Sequence, residues 1–203
     1  MPGLGIFVAE RLRHLMMSDA VSATVVAPVP WFPFEDTRFG AYGAWARMPH
    51  EESFESTRVI HPRYPLIPKV GMTAAPLLLA SASYRAIRSI FGDLDSFDLI
   101  DAHYFYPDGV AAAMLGRWFR KPVVITGRGT DLNLIPRYHL ARRQIQWAIR
   151  NARGLVTVSE ALRGRLIALG ASPDKVKTLR NGVDLQKFRP LPRDQVRDDL
   201  GIV

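Results

Sequence analysis

The stretch FDLIDAHYFYPDGVAAAMLGRWFRKPVVITG, residues 97–127, decides the fold. Its two ends, Phe97 to Ala102 (FDLIDA) and Pro122 to Thr126 (PVVIT), are short apolar runs that read as strands. Between them Ala111, Met114, Leu115 and Trp118 recur at helical spacing as an inward stripe, with Pro107 where a first-turn proline belongs. Strands too apolar to be half exposed, each followed by a helix, argue for a parallel sheet covered on both faces.

The alternation continues toward the C-terminus. Ala141, Ile145, Ala148, Ile149 and Ala152 mark a helix whose outer surface carries Arg142, Arg143 and Arg150. Leu155 to Ser159 (LVTVS) is a strand, Ser159 caps a helix that runs from Glu160 to Gly170, and Val176 to Leu179 is a last strand. Toward the N-terminus, Leu77, Ala80, Tyr84, Ile87 and Phe91 keep the helical period. Residues 28–72 break it: Pro28, Pro30, Pro33, Pro49, Pro62, Pro65 and Pro68 interrupt every candidate helix and leave one short strand near Thr57 to Ile60. Before them, Ser22 to Ala27 (SATVVA) reads as a strand, and Val8, Leu12, Leu15 and Met16 give a helix over residues 5–17. The expected architecture is α/β, a Rossmann-like doubly wound parallel sheet over residues 1–187, with a linker and the start of a further domain in 188–203.

Composition narrows the function classes. The chain has 203 residues, 48% hydrophobic and 23% charged, the balance of a globular domain with a sizeable core. With no cysteine there is no disulfide framework, thiolate nucleophile or Cys-ligated zinc, and the residues call for no metal or cofactor. No stretch approaches the ~20 apolar residues of a membrane-spanning helix. The N-terminus lacks a basic segment followed by an apolar one, so a cytoplasmic address is expected. Lys and Arg number 27 against 19 Asp and Glu, a net charge of +8 that favours acidic partners. The Arg-rich outer face of the 139–152 helix reads first as a solvated surface, with contact to substrate or peripheral contact with the inner face of a membrane as the second reading. Nucleic acid ranks last, because no stacking motif or helix-turn-helix accompanies the charge.

In an open parallel sheet, ligands bind in the crevice outside the carboxyl ends of the strands. The polar sites following strands are Asp101-Ala102-His103, Arg128-Gly129-Thr130-Asp131, Ser159-Glu160 and Asn181-Gly182-Val183-Asp184, together with Gly3 and Gly5 before the first helix. His103 is placed to face the crevice beside a helix N-terminus, and Arg128 to Asp131 suit an oxygen-rich ligand such as a sugar or phosphate, or an Arg-Asp pair that pins the loop. Gly3 and Gly5 would let backbone amides approach a diphosphate. Asn181-Gly182 signals a turn with or without ligand.

Taken in order, GIFVAERLRHL, FDLIDAHYFYPDGVAA, VVITGRGTD, GLVTVSEALRGRLIALG and KVKTLRNGVDLQKFRP resemble the N-terminal half of family 4 glycosyltransferases, the group 1 sugar transferases of two-domain GT-B fold. The resemblance implies retaining transfer of a sugar from a nucleotide-diphosphate donor to a lipid-linked, polysaccharide or small-molecule acceptor, with the acceptor held on this side of the cleft. It implies that His103 contacts the transferred sugar and is the catalytic residue. Gly3 and Gly5 then meet diphosphate and acceptor, Arg128, Gly129, Thr130 and Asp131 line the acceptor side, and Asn181 begins the hinge. It also implies a strand ahead of the glycine loop, where only Met1 and Pro2 stand, and a donor-binding second domain that these residues do not encode. Transfer by these residues alone is therefore not expected. The reading from another class is a non-catalytic binding module on the same fold.

Overall fold

The computed structural model describes residues 5–18, 20–55, 57–65, 71–92, 96–185 and 188–202. Helix α1 (Ile6–Met16) is followed by β1 (Thr24–Val26), β2 (Val29–Trp31), α2 (Ala41–Arg47), β3 (Glu51–Phe54), β4 (Thr57–Ile60) and β5 (Arg63–Pro65). The long α3 (Gly71–Phe91) leads to β6 (Ile100–His103), α4 (Val110–Phe119), β7 (Val123–Gly127), the short α5 (Thr130–Asn133) and α6 (His139–Asn151). The chain continues through β8 (Gly154–Thr157), α7 (Glu160–Ala168), β9 (Val176–Thr178) and α8 (Arg193–Asp199).

Strands β6, β7, β8 and β9 form one sheet in chain order, parallel throughout, with His103 level with Thr126, Gly127 level with Thr157 and Thr157 level with Thr178. Successive side chains of a strand point to opposite faces. Ile125, Thr126 and Gly127 on β7, and Leu155, Val156 and Thr157 on β8, are all buried, so both faces of the sheet are covered. Ile145, Ala148 and Ile149 of α6 and Leu162 and Leu166 of α7 share one apolar core with β7, β8 and the buried Phe105. A second cluster joins Leu79, Ala80 and Ile87 of α3 to Ala111, Leu115 and Phe119 of α4. Ser159 caps α7 by accepting a hydrogen bond from the Leu162 amide, and Gly170 closes the same segment at φ +105°.

The N-terminal strands do not join that sheet. β1 pairs with β4 in parallel and β3 with β4 antiparallel, while β2 and β5 make a separate parallel ribbon. Among the described residues the ladder of β1 runs only to β4 and that of β6 only to β7, so the expected doubly wound sheet is divided. Val26 of β1 and Ile100 of β6 nonetheless pack against the same α3–α4 cluster, which puts both pieces over one helix layer. Helix α1 has no buried residue. Arg11 fastens it to Asp101 and Thr126 at 3.1 Å each, and Arg13, which also pairs with Glu10 within the helix, fastens it to Glu55.

Three local expectations are corrected. Residues 28–72 hold a helix and four strands rather than one strand, because the prolines fall where they do no damage: Pro30 and Pro65 sit in the two-stranded β2–β5 ribbon, where each strand has a free edge, and α2 lies wholly between Pro33 and Pro49. Phe32 anchors this region, with Phe34, Phe39 and Tyr42 ring centroids 5.2–5.9 Å away. Helix α4 starts at Val110 and not near Pro107, since residues 105–109 first form a wide turn in which Tyr106 is extended. Trp118, expected to point inward, is 42% exposed and meets Tyr84 edge to face at the surface, and Leu77 of α3 is exposed as well.

Candidate functional site

The parallel register delivers three side chains to one place. β6 ends at His103, the loop after β7 begins at Arg128, and Asn181 follows β9. Arg128 donates through Nη2 to His103 Nδ1 at 3.1 Å and through Nη1 to Asn181 Oδ1 at 3.3 Å. The Nδ1 of His103 therefore acts as acceptor, which leaves the ring proton on Nε2, 3.8 Å from Asp101 Oδ2. Burial first, then the Arg128 and Arg11 cations, push the His103 pKa down to about 4, so the ring is neutral at physiological pH. Burial and the nearby Arg11 also lower Arg128 below its ordinary value. Its Nε is buried with no hydrogen-bond partner among the described residues, so donors of the guanidinium remain unfilled.

The loop that presents Arg128 is built from inside. Asp131 is 2% exposed, and its carboxylate accepts from the Gly129 amide at 2.7 Å, the Arg128 amide at 3.1 Å and the Phe105 amide at 2.8 Å. It pins the loop through backbone amides rather than through the Arg128 side chain. Gly129 takes φ +152°, a conformation side chains avoid, and a Cβ on Gly127 would lie 2.4 Å from Leu132 Cδ1. Thr130 is exposed at the start of α5. Tyr104, next to His103, is a non-glycine residue at φ +70°, held there by Tyr104 N donating to Thr126 O at 2.9 Å and Gly109 N donating to Tyr104 O at 2.8 Å.

Other sequence candidates stay apart from this cluster. Gly3 lies outside the described residues. Gly5, at φ +88°, opens α1, and no hydrogen bond links it to His103 or Arg128 among the described residues. Conversely, the structure brings in residues that sequence reading passed over. Arg11 arrives from α1 to bond Asp101 and Thr126. Asp108, in the wide turn after β6, is pushed up to about 6 by burial, with neighbouring Asp131 adding to the effect. Asp101 is likewise raised by burial in spite of Arg11 and Arg128. The only signal for Asp108 was its position after a strand, five residues beyond His103. Shallow hollows open to solvent lie elsewhere: one between α1 and the β3–β4 pair beside Leu12 and Phe54, another beside Tyr84 and Trp118. Among the described residues no three His, Asp or Glu converge as a metal site, and no helix is long and apolar enough to cross a membrane.

A neutral histidine and an incompletely satisfied arginine at the carboxyl ends of parallel strands suit a ligand rich in hydroxyl or phosphate oxygen. The sequence profile of Glycosyltransferase Family 4 matches residues 3–187. The chain belongs to this family. Similarity to TuaC of Bacillus subtilis (strain 168), named as a teichuronic acid biosynthesis glycosyltransferase, is 28% identity over 207 residues, covering 99% of this chain and 51% of TuaC. The family 4 chain thus spans about half the length of that curated relative. Among solved structures, the sucrose-phosphate synthase of Thermosynechococcus elongatus matches 76% of this chain and 40% of its own at 15% identity and TM-score 0.54. Alr3699/HepE of Anabaena, crystallised with UDP, matches 70% of this chain and 36% of its own at 20% identity and TM-score 0.50. At these identities the structures show the fold alone, a Rossmann-like half shared by this family 4 chain.

Proposed function

We propose that the chain forms the acceptor-side half of a retaining glycosyltransferase, which moves a sugar from a nucleotide-diphosphate donor to a lipid-linked, polysaccharide or small-molecule acceptor. The observation that carries this reading is the convergence of His103, Arg128 and Asn181 at the strand ends. Neutral His103 with its proton on Nε2 can donate to a sugar hydroxyl, and as a cation it would lose the Arg128 bond that orients it. Arg128 uses one hydrogen of each Nη on Asn181 and His103 and keeps the other Nη hydrogens for hydroxyl or phosphate oxygens, fixed in place by the Asp131-pinned loop. Oriented donors of this kind stabilise charge that develops on a leaving diphosphate. Groups that bind the nucleotide and complete the reaction come, on this reading, from outside residues 1–203.

The test is transfer of labelled sugar from a set of nucleotide-diphosphate donors, by the 203-residue chain alone and by the polypeptide that adds the donor-binding half. The larger polypeptide should turn over with retained anomeric configuration, read by proton NMR. His103→Ala should lower kcat by about 10²–10³, the loss seen when one oriented donor to the transition state is removed. The chain alone should give no turnover. Turnover by the chain alone, abolished by His103→Ala, would place the whole site within these residues. No turnover by either, or an inverted product, would overturn the reading.

A further inference from the structure

The corner between α5 and α6 gathers exposed apolar and basic side chains on one ordered turn. Backbone bonds from Arg137 N to Leu134 O, Tyr138 N to Ile135 O and Arg142 N to Tyr138 O make it one continuous, rigid turn into the helix. From that turn Leu134, Tyr138 and Leu140 project into solvent with exposures of 47%, 57% and 54%. Their neighbours Arg137, Arg142 and Arg143 are exposed too. Arg11, Arg13, Arg38 and Arg58 each meet a carboxylate; these three, like Arg85 and Arg88 of α3, meet none among the described residues. The sequence explains why: residues 132–159 contain five arginines and neither Asp nor Glu. Buried Ala141, Ile145, Ala148 and Ile149 hold the other face of α6 in the core, so the corner cannot turn inward.

Exposed leucine and tyrosine among unpaired arginines is the pattern of a surface that lies in a headgroup region, where the apolar chains enter the acyl boundary and the guanidiniums meet lipid phosphate. Soluble acidic partners would reward the arginines but leave the three apolar side chains without a role. We infer that the corner from Leu134 to Arg143 docks on an anionic phospholipid bilayer. It begins three residues after Asp131 of the Arg128 loop, so a bilayer here would lie beside the crevice and present a lipid-linked acceptor to it. The inference deepens the proposed function and rests on it for that consequence, while the docking itself stands on the patch.

Vesicle co-sedimentation of the whole chain tests it, with vesicles of phosphatidylcholine alone and of an equal mixture with phosphatidylglycerol. The chain should be retained by the anionic vesicles and not by the neutral ones. Each arginine near such a surface contributes about fivefold in affinity. The double variant Arg142→Glu/Arg143→Glu should therefore lose tenfold or more, and Leu134→Ser/Leu140→Ser about as much. The same charge change on the outer face of α3, Arg85→Glu/Arg88→Glu, should stay within about twofold. A Leu140→Trp variant should show a blue-shifted emission on the anionic vesicles, and unchanged circular dichroism should accompany every variant. No retention of the unaltered chain, equal retention by neutral vesicles, or an equal loss in the α3 control would overturn docking at this corner. Such a failure would leave transfer to a soluble acceptor untouched, and a failed transfer assay would leave vesicle retention untouched, so the two readings fail separately.

Discussion

The half of the molecule from β6 to β9 and the region before α3 are made of the same kinds of element but held together differently. In the former, the central strands β7 and β8, with buried side chains on both faces, are sandwiched by apolar helices, and polar bonds such as those of Asp131 are internal. In the latter, β3 is exposed and β1 only half-buried along its length, and α1 is attached through Arg11 and Arg13. Apolar burial stabilises by roughly 25 cal/mol per Å², whereas exposed ion pairs contribute about 0–1 kcal/mol. The comparison teaches that stability and the candidate site both reside in the β6–β9 half, with the N-terminal region supported by it.

Asp131→Ala should break the strong half most severely. It removes the acceptor of three amides at once, and a buried unsatisfied donor costs about 1–3 kcal/mol. A loss of about 3–4 kcal/mol in urea unfolding is expected, with the His103 and Arg128 side-chain signals dispersing in NMR spectra.

The next effect is one of pH, and two groups in the same half oppose each other. His103 takes its proton only at about 4 against an ordinary 6.5, so as pH falls between those values the unfolded chain gains a proton that the folded chain refuses, and stability drops. Asp108 titrates at about 6 against an ordinary 3.8, so in that window the folded chain gains the proton first, and stability rises on acidification. Unaltered protein should therefore show a nearly level stability between about pH 4 and 6.5. Asp108→Asn should reveal a fall of about 1–2 kcal/mol on acidification through this range, and His103→Gln a rise of similar size, after allowance for partial solvent screening. Two variants with identical pH profiles would show that the groups are not buried as described.

Smaller still is Ser159→Ala, which removes the α7 cap at a cost of about 1 kcal/mol. In the N-terminal region, Arg13→Ala should leave the urea midpoint unmoved, because its bonds to Glu10 and Glu55 are exposed to solvent. A shift as large as that of Ser159→Ala would erase the contrast between the regions.

That contrast also governs how much the sequence disclosed. Apolar runs such as VVIT and LVTV have no other way to be buried than inside a covered sheet, so the β6–β9 alternation was legible, and with it the meeting of His103, Arg128 and Asn181 at the strand ends. The seven prolines of residues 28–72 gave the opposite impression, since a proline scores against a strand or helix whether or not it falls at a ribbon edge or between elements. Asp131 was legible as a partner in its loop but not as one for amides, because that depends on where the Phe105 amide comes to rest. Arg11 and Asp108 were invisible for the same reason: one reaches its partners across 90 and 115 residues of sequence, and the other acquires its raised pKa only from burial.

The Arg128 guanidinium joins residues 25 and 53 positions away, and so its two bonds record the order of assembly. Closing loops of that length is entropically unfavourable until intervening strands have paired, and non-local contacts of this kind are the slow part of folding. The crevice thus forms only when β6, β7 and β9 have all found their register. A nitrogen signal from His103 Nδ1 accepting a hydrogen bond is accordingly a clock for the finished sheet: during refolding it should rise with the slowest phase, after the helical signal has already returned.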